Sequence, residues 1–468
     1  MTGGVNQGTV LWYARDMNKT VDIIGAGLAG SEAALQLAQR GVHVRLFEMR
    51  PQVKTPVHKT DGCAELVCSN SLKSMKPQSA AGMLKSELKA LGSNLIGFAY
   101  DSKVDAGGAL AVDRDEFSRL TTEAVRNHPL IEYVVGEVAE PDFTDGADAV
   151  VLASGPLTSD ALAAWVSEKT GSENMAFYDA AAPIVMADSL NMDVLFRQSR
   201  YEDEAPGDYL NAPFTREQYD AFIDELVAAD RVIRRDFETK DLFQACQPIE
   251  EIARKGHDAP RFGTCKPVGL TDPATGRRPW AAVQLRAENA QNTAYNLVGF
   301  QTNLTFPEQK RVFSMIPGLE NAEFVRYGVM HRNTFIQAPG LVERSLRLKV
   351  ETPAPVFVAG QLSGTEGYCE AIMSGLMCAL NVYALLNGIE MPAMPETTAF
   401  GSLLAYATDP QTEDYQPMHV NFGILPPLEH HERNKKLRYE QYAQRGGQAM
   451  EAYVEKLRES GLMERVHV

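Results

Sequence analysis

The chain has 468 residues, enough for two or three domains, and its 44% hydrophobic and 23% charged content is that of an ordinary soluble globular protein. A net charge of −16 excludes a broadly basic nucleic-acid-binding face and leaves only a local basic patch open. The six cysteines form no CxxC pair and no zinc spacing with histidines, so neither a disulfide framework nor a structural metal is expected; a reducing cytoplasm fits best.

In chain order, residues 1–18 read as an N-terminal extension, poorly ordered or a product of start-site choice. No signal-type apolar run opens the chain and no stretch approaches the length of a membrane span, so no membrane association is expected. Residues 20–50 read TVDIIGAGLAGSEAALQLAQRGVHVRLFEMR. The β-rich run Val21–Ile24 predicts a strand. Gly25-Ala26-Gly27-Leu28-Ala29-Gly30 follows as GxGxxG, then a helix to about Arg40, a stop at Gly41 and a second strand ending at Glu48. This is a complete βαβ dinucleotide fingerprint. Gly25 permits the tight turn, Gly27 lets backbone approach a pyrophosphate, Gly30 lets helix and strand pack, and Glu48 can accept from a ribose diol.

Next comes GCAELVCSNSLKS at 62–74, in which Cys68 stands at the seam between an apolar pair and a polar turn. By residue type alone a cysteine there is either a packed core thiol or a presented one. VVLASGP at 150–156 predicts a strand ending in a small-residue turn. The following 170 or so residues change character, with Pro/Asp turns and the β-type runs AAVQLR and AYNLVGFQT. A late strand at Val356–Ala359 leads into Gly360, Gln361, Gly364 and Gly367, and a helix begins near Tyr368. Three strand–glycine-turn segments around one pocket favour a resident FAD over a passing NAD. The C-terminus from Arg433 to Leu462 reads as a charged helix or helix pair, with Arg433, Lys435 and Lys436 close together.

The expected fold class is therefore α/β, a Rossmann-like FAD-binding domain interrupted by an inserted α+β domain. The expected division is 19–160 for the first part of the FAD domain, 161–325 for the insert, and 326–468 for the second part with the C-terminal helices.

GAGLAGSEAA, TPVHKTD, AELVCSNSLKS, GGALAVDRDEF, FYDAAAPIV, KPVGLTDPATGRRP, VGFQTNL, RYGVMHRNTF and VFVAGQLSGTEGY together resemble the folate- and FAD-dependent tRNA (uracil-5-)-methyltransferases of the TrmFO family, within the larger GidA-like flavoproteins. AELVCSNSLKS and FQACQPIE point to TrmFO within that group, and the resemblance runs from about Lys19 to the C-terminal helix.

The resemblance implies that 5,10-methylenetetrahydrofolate gives a one-carbon unit to reduced FAD, which passes it to C5 of a T-loop uridine in tRNA, with NADH or NADPH restoring the flavin. It implies tRNA and folate as partners and no stable protein partner. It also implies that Cys68 and Cys246 are catalytic. A thiolate adding to C6 of uracil makes C5 nucleophilic, and a second group must remove the C5 proton. Cys246, stiffened by Pro248, is taken as the nucleophile; Cys68 is the proton acceptor, or the group that holds the flavin-bound methylene. Tyr368 falls where the family places an aromatic against the flavin, either stacked or as a core tyrosine with a satisfied hydroxyl.

Arg332 can hold a folate glutamate or a phosphate, or else pair structurally with a carboxylate. The run at Arg433, Lys435 and Lys436 is either a solvated helix face or the basic patch for tRNA. Cys63, Cys265, Cys369 and Cys378 are read as structural. Met373 and Met377 are bulkier than the family pattern and are expected to reshape the flavin pocket. The alternatives are the same chemistry on a ribosomal RNA uridine, a small-molecule flavin oxidoreductase with Cys68 and Cys246 as redox thiols, and a non-catalytic FAD-stabilised RNA-binding scaffold.

Overall fold

The computed structural model describes residues 19–466 apart from 56, 172–174, 201–206, 233–246, 413–414 and 431, and the side chains of 175–180 and 330–332. The N-terminal extension and Cys246 therefore lie outside the described residues.

The β-branched run Thr20–Ile24 forms the central strand of a five-stranded parallel sheet, ordered Val356–Val358, Ala149–Leu152, Thr20–Ile24, His43–Glu48, Ile131–Val135. Ile24 pairs with Phe47 on one side and with Leu152 on the other, so the chain leaves all these strands at one edge. That edge carries Gly25, Glu48 and Ala153. Ligands of open parallel sheets bind beyond the carboxyl ends of the strands, which places the candidate site here. Both faces are covered, and Ala149, Val150, Val151 and Leu152 are all fully buried, as expected for a strand without alternation.

On one face the helix Leu28–Ala38 packs against the long helix Tyr368–Leu386. The approach is close because Gly375 faces Ala29: a Cβ at Gly375 would meet the Ala29 backbone carbonyl. Tyr368–Leu386 is the one helix among the described residues long and apolar enough to cross a membrane, and most of it is buried within the protein, which marks it as a core helix. Met373 and Met377 point into this core, where they are 0% and 2% exposed, so they do not shape the pocket as the sequence suggested; Ala371 stands at the pocket wall instead.

The chain leaves and re-enters this part through an antiparallel strand pair, Met175–Ala180 with Met330–Phe335. Between them lies a six-stranded antiparallel sheet, ordered Phe196–Arg197, Leu210–Phe214, Ala281–Ala287, Ala294–Leu297, Ile184–Met186, Phe324–Arg326. It has its own core, in which Phe214, Tyr219, Phe222, Phe300 and Phe313 meet beneath the helices Arg216–Ala228, Ile249–Lys255 and Phe306–Phe313. The architecture is thus α/β with an interrupting α+β unit. The helix Asp160–Thr170 packs Leu162, Trp165 and Val166 into the first core. The C-terminal segment forms one helix, Lys435–Glu459, and not a pair. Its Gly446 sits against Met83, and Met450, Tyr453, Val454 and Leu457 anchor it on the first core.

Candidate active site

At the carboxyl edge of the parallel sheet the turns enclose a cavity of about 430 Å³. Gly25 makes the sharp exit from the first strand at φ +107°, and a Cβ there would strike the backbone of Ala153. Gly30 packs so tightly that a Cβ would meet the Gly25 carbonyl, whereas a Cβ on Gly27 would project into open space within the cavity. The helix Leu28–Ala38 starts at Gly27 with no side-chain cap, so its N-terminal N–H groups and positive dipole end face the cavity. Gly155, at φ +69°, also lines the cavity and is equally open.

Glu48 also lines the cavity. Its Oε2 accepts from the Ala26 N–H at 3.0 Å, and its Oε1 accepts from the Arg50 N–H at 3.0 Å and from Arg50 Nε at 2.8 Å. Burial works to raise its pKa, but the Arg50 guanidinium and these N–H donors outweigh it and hold the carboxyl below the usual glutamate range. An ionised carboxylate fixed at the end of the second strand and lining the cavity suits a ribose diol. A glycine cradle with room at Gly27, an uncapped helix start and an anchored acid are the features that a dinucleotide such as FAD requires.

The other end of the cavity is built around Cys68. Cys68 is half-buried and lines the cavity, and its turn is held from several sides. The Tyr368 hydroxyl accepts from the N–H of Cys68 at 2.9 Å and of Ser69 at 3.0 Å. Arg114 donates to the Leu66 carbonyl and Arg326 to the Val67 carbonyl. Arg286 reaches Asn70 Oδ1 and Ser69 Oγ, each at 2.8 Å, and Asn70 Nδ2 in turn donates to the carbonyls of Val112 and Ala287. Arg114 is paired with Glu288 at 2.5 Å. Burial is the largest influence on Arg286 and Arg326 and pulls both down, yet guanidinium groups stay charged near neutrality. The three guanidiniums do not line the cavity; they act from behind its wall, fixing the backbone and side chains of the turn that carries Cys68.

Gly25, Gly27, Leu28, Ala29, Glu48, Cys68, Gly360, Gln361, Gly367 and Tyr368 all line this one cavity. Gln361 Nε2 donates to Glu366, another lining residue. Ala26 and Gly30 act from behind, through the Glu48 hydrogen bond and the helix–strand packing. Gly364, expected among the cofactor-binding residues, does not itself line the cavity; at φ +82° it makes room for the Tyr415 hydroxyl, which a Cβ would strike. The Arg332 side chain lies outside the described residues, although its backbone pairs with Tyr178. Beyond Cys246, the described chain resumes at Gln247, and the Ile249 N–H donates to the carbonyl of Gln301, itself a lining residue. Arg433, Lys435 and Lys436 are exposed at the start of the C-terminal helix and do not line the cavity. Cys63, Cys265, Cys369 and Cys378 are buried, and burial pushes each thiol up, Cys265 to about 12 and Cys369 to about 11, so they are inert packing residues.

Sequence reasoning passed over several lining residues. His58 shares a 2.6 Å hydrogen bond with Thr55 Oγ1, and burial followed by the Arg50 charge lowers it to about 4. His419 is lowered by burial and then by Lys73, which lines the cavity with its backbone in the left-handed region at φ +65°. Both shifts hold the imidazoles in their neutral form at pH 7. His58 lies within the TPVHKTD run, whereas His419 carries no local signal. The three arginines come from separate elements, so only the fold brings them together.

The family described as Glucose inhibited division protein A matches residues 20–390. A methylenetetrahydrofolate–tRNA-(uracil-5-)-methyltransferase TrmFO of Geobacter sulfurreducens is 53% identical over 413 residues, covering 88% of this chain and 94% of that protein. The protein of the same name from Bacillus subtilis is 49% identical over 427 residues, covering 91% and 97%. Among solved structures, Aquifex aeolicus GidA in its form II crystal superposes with a TM-score of 0.67 at 16% identity, covering 95% of this chain and 73% of that one, a likeness of fold. With about half its residues shared with these relatives over nearly its whole length, the chain belongs to the GidA family and, within it, to the TrmFO family.

Proposed function

We propose that the protein is a methylenetetrahydrofolate- and FAD-dependent tRNA (uracil-5-)-methyltransferase that methylates C5 of the T-loop uridine, with NADH or NADPH as reductant. The observation that carries this reading is the shared cavity: Cys68 opens into the same space as Gly27 and Glu48. A thiol and a dinucleotide cradle in one cavity suit covalent activation of a base beside a flavin.

Gly25, Gly27, Gly155 and Gly360, the start of helix Leu28–Ala38 and Glu48 would hold the FAD. Bound there, FAD supplies the carrier for the one-carbon unit and the electrons that reduce it to a methyl group. Cys246 is the nucleophile at C6 of the uracil. Cys68 accepts the C5 proton, and Tyr368, through its two hydrogen bonds to that turn, keeps the thiol at the cavity wall. The Arg114, Arg286 and Arg326 guanidiniums hold the turn that presents Cys68 through Leu66, Val67, Ser69 and Asn70.

Arg433, Lys435 and Lys436 form the RNA-binding patch, with Arg332 a further contact to folate or phosphate. Lys435 and Lys436 occupy the first turn of a helix, where cations oppose the dipole at a cost of about 0.3–1 kcal/mol each. That placement is unfavourable for stability and favourable for a phosphate. The cytoplasm, which holds tRNA and keeps thiols reduced, is the proposed location. The test is incubation with labelled methylenetetrahydrofolate, NADH or NADPH and total RNA. The reading expects label at C5 of the tRNA T-loop uridine. Label in ribosomal RNA, or reductant oxidation without RNA methylation, contradicts it.

A further inference from the structure

Asn333 belongs to the strand Met330–Phe335, and its neighbours fasten that strand between two turns of the cavity. The Thr334 N–H donates to the Pro156 carbonyl at 2.9 Å, and the Ile336 N–H donates to the Leu362 carbonyl at 2.9 Å. The first bond is to the small-residue turn after Ala149–Leu152, the second to the turn that begins at Gly360. Asn333 thus stands between the turns that carry Pro156 and Gly360, and it is one of the residues that line the cavity.

That side chain is 1% exposed, and neither Oδ1 nor Nδ2 has a hydrogen-bond partner among the described residues. Buried amides are almost always satisfied, and one with neither end satisfied is destabilising to the protein that keeps it. A carboxamide offers an acceptor and a donor side by side in one plane. The complementary pattern is an adjacent N–H and C=O within a ring, the edge of a cyclic lactam.

We propose that Asn333 is a binding residue that pairs through both amide atoms with the lactam edge of a heterocycle in this cavity. The chemistry is shared by the isoalloxazine, the pterin of the folate and the uracil itself, and the identity of the ring rests on the proposed function. Asn333 accepts from the ring N–H through Oδ1 and donates to the neighbouring carbonyl through Nδ2. A ring lacking that edge leaves the amide unpaired and is discriminated against.

The test uses the full chain with Asn333→Leu, close to isosteric and apolar, and Asn333→Asp, which keeps an acceptor and loses the donor. Flavin content and Kd for FAD, KM for methylenetetrahydrofolate and for tRNA, and melting temperature with and without added FAD are read for each. Asn333→Leu is expected to melt at or above the wild type without added FAD, because no hydrogen bond to another described residue is removed. Binding of one ring is expected to weaken about tenfold in both variants, the loss of one good paired edge. Weakened FAD binding assigns the edge to isoalloxazine. Normal flavin content with a raised KM for folate or for tRNA assigns it to pterin or uracil. If Asn333→Leu is recovered only as aggregate, the binding constants of Asn333→Asp decide in the same way. Unchanged binding of all three rings overturns the proposal, as does a lowered melting temperature without FAD accompanied by normal binding. Methyl transfer that fails in the wild type while FAD binding still depends on Asn333 would sink the proposed function and leave this inference standing.

Discussion

The hydroxyl of Tyr368 accepts the N–H of Cys68 at 2.9 Å, joining the first residue of a core helix to a thiol 300 positions earlier in the chain. The same hydroxyl takes the Ser69 N–H, so one phenol satisfies two successive backbone donors. Burial pushes the Tyr368 pKa well up, and the phenol stays neutral at any working pH. Tyr368→Phe removes the acceptor and leaves two N–H groups without it, at a cost of about 1–3 kcal/mol. The expected outcome is a lower melting temperature and a methylation rate down at least tenfold, with FAD retained. Wild-type turnover in this variant would show that the turn does not need the tyrosine.

The second and third glycines of the fingerprint should fail in different ways. A Cβ on Gly30 meets the Gly25 carbonyl within the protein, so Gly30→Val is expected to destabilise the folded chain with or without FAD. A Cβ on Gly27 meets nothing in the protein and projects into the cavity. Gly27→Val is therefore expected to fold with a near-normal melting temperature in the absence of FAD and to purify colourless. Absorbance of the purified protein, with FAD assayed after heat release, checks both. A yellow Gly27→Val protein would contradict the placement of the pyrophosphate.

Glu87 predicts a pH dependence of stability. It is fully buried, and its oxygens accept from the Ala399 and Phe400 N–H groups at the start of helix Ala399–Thr408. Burial outweighs those bonds and raises the carboxyl from 4.5 to about 7. Between those values the folded state holds a proton that the unfolded state has released, so stability falls as pH rises through the window. Glu87→Gln, still able to accept, is expected to flatten the fall in melting temperature between pH 5 and pH 8. Equal slopes for wild type and variant would contradict the assignment.

RNA affinity should depend on salt through the start of the C-terminal helix. Lys435 lies over the Tyr439 ring at 5.4 Å, and Lys436 is 4.0 Å from Glu440, so both are positioned and still exposed. Lys435→Glu with Lys436→Glu is expected to weaken tRNA binding and to lower the slope of log affinity against log salt by about 2, one for each phosphate no longer neutralised. An unchanged slope would remove this patch from the RNA interface.

Much of the cradle was legible in the sequence because its parts are local. Gly25, Gly27, Gly30 and Glu48 lie within one βαβ unit, and turn chemistry, close packing and strand ends are properties of neighbouring residues. Gly360 and Gly367 were readable for the same reason. Gly364 was not, because its left-handed backbone answers to Tyr415, some fifty residues away in the chain. Met373 and Met377 were misjudged because helix periodicity does not say which face meets the cavity when the whole helix is buried. The arginines that hold the Cys68 turn come from three separate elements, and Arg286 and Arg326, inside strand patterns, read as polar edges until the fold buries them.

The central claim is that two thiols divide the work on uracil, Cys246 by adding at C6 and Cys68 by taking the proton from C5. The most direct measurement is the covalent complex formed on tRNA carrying 5-fluorouracil at the target position, read as a shifted band on a denaturing gel. The account predicts no shifted band for Cys246→Ala, and a shifted band with little turnover for Cys68→Ala. A band from Cys246→Ala with none from Cys68→Ala would reverse the roles, and full methylation by both variants would contradict covalent activation altogether.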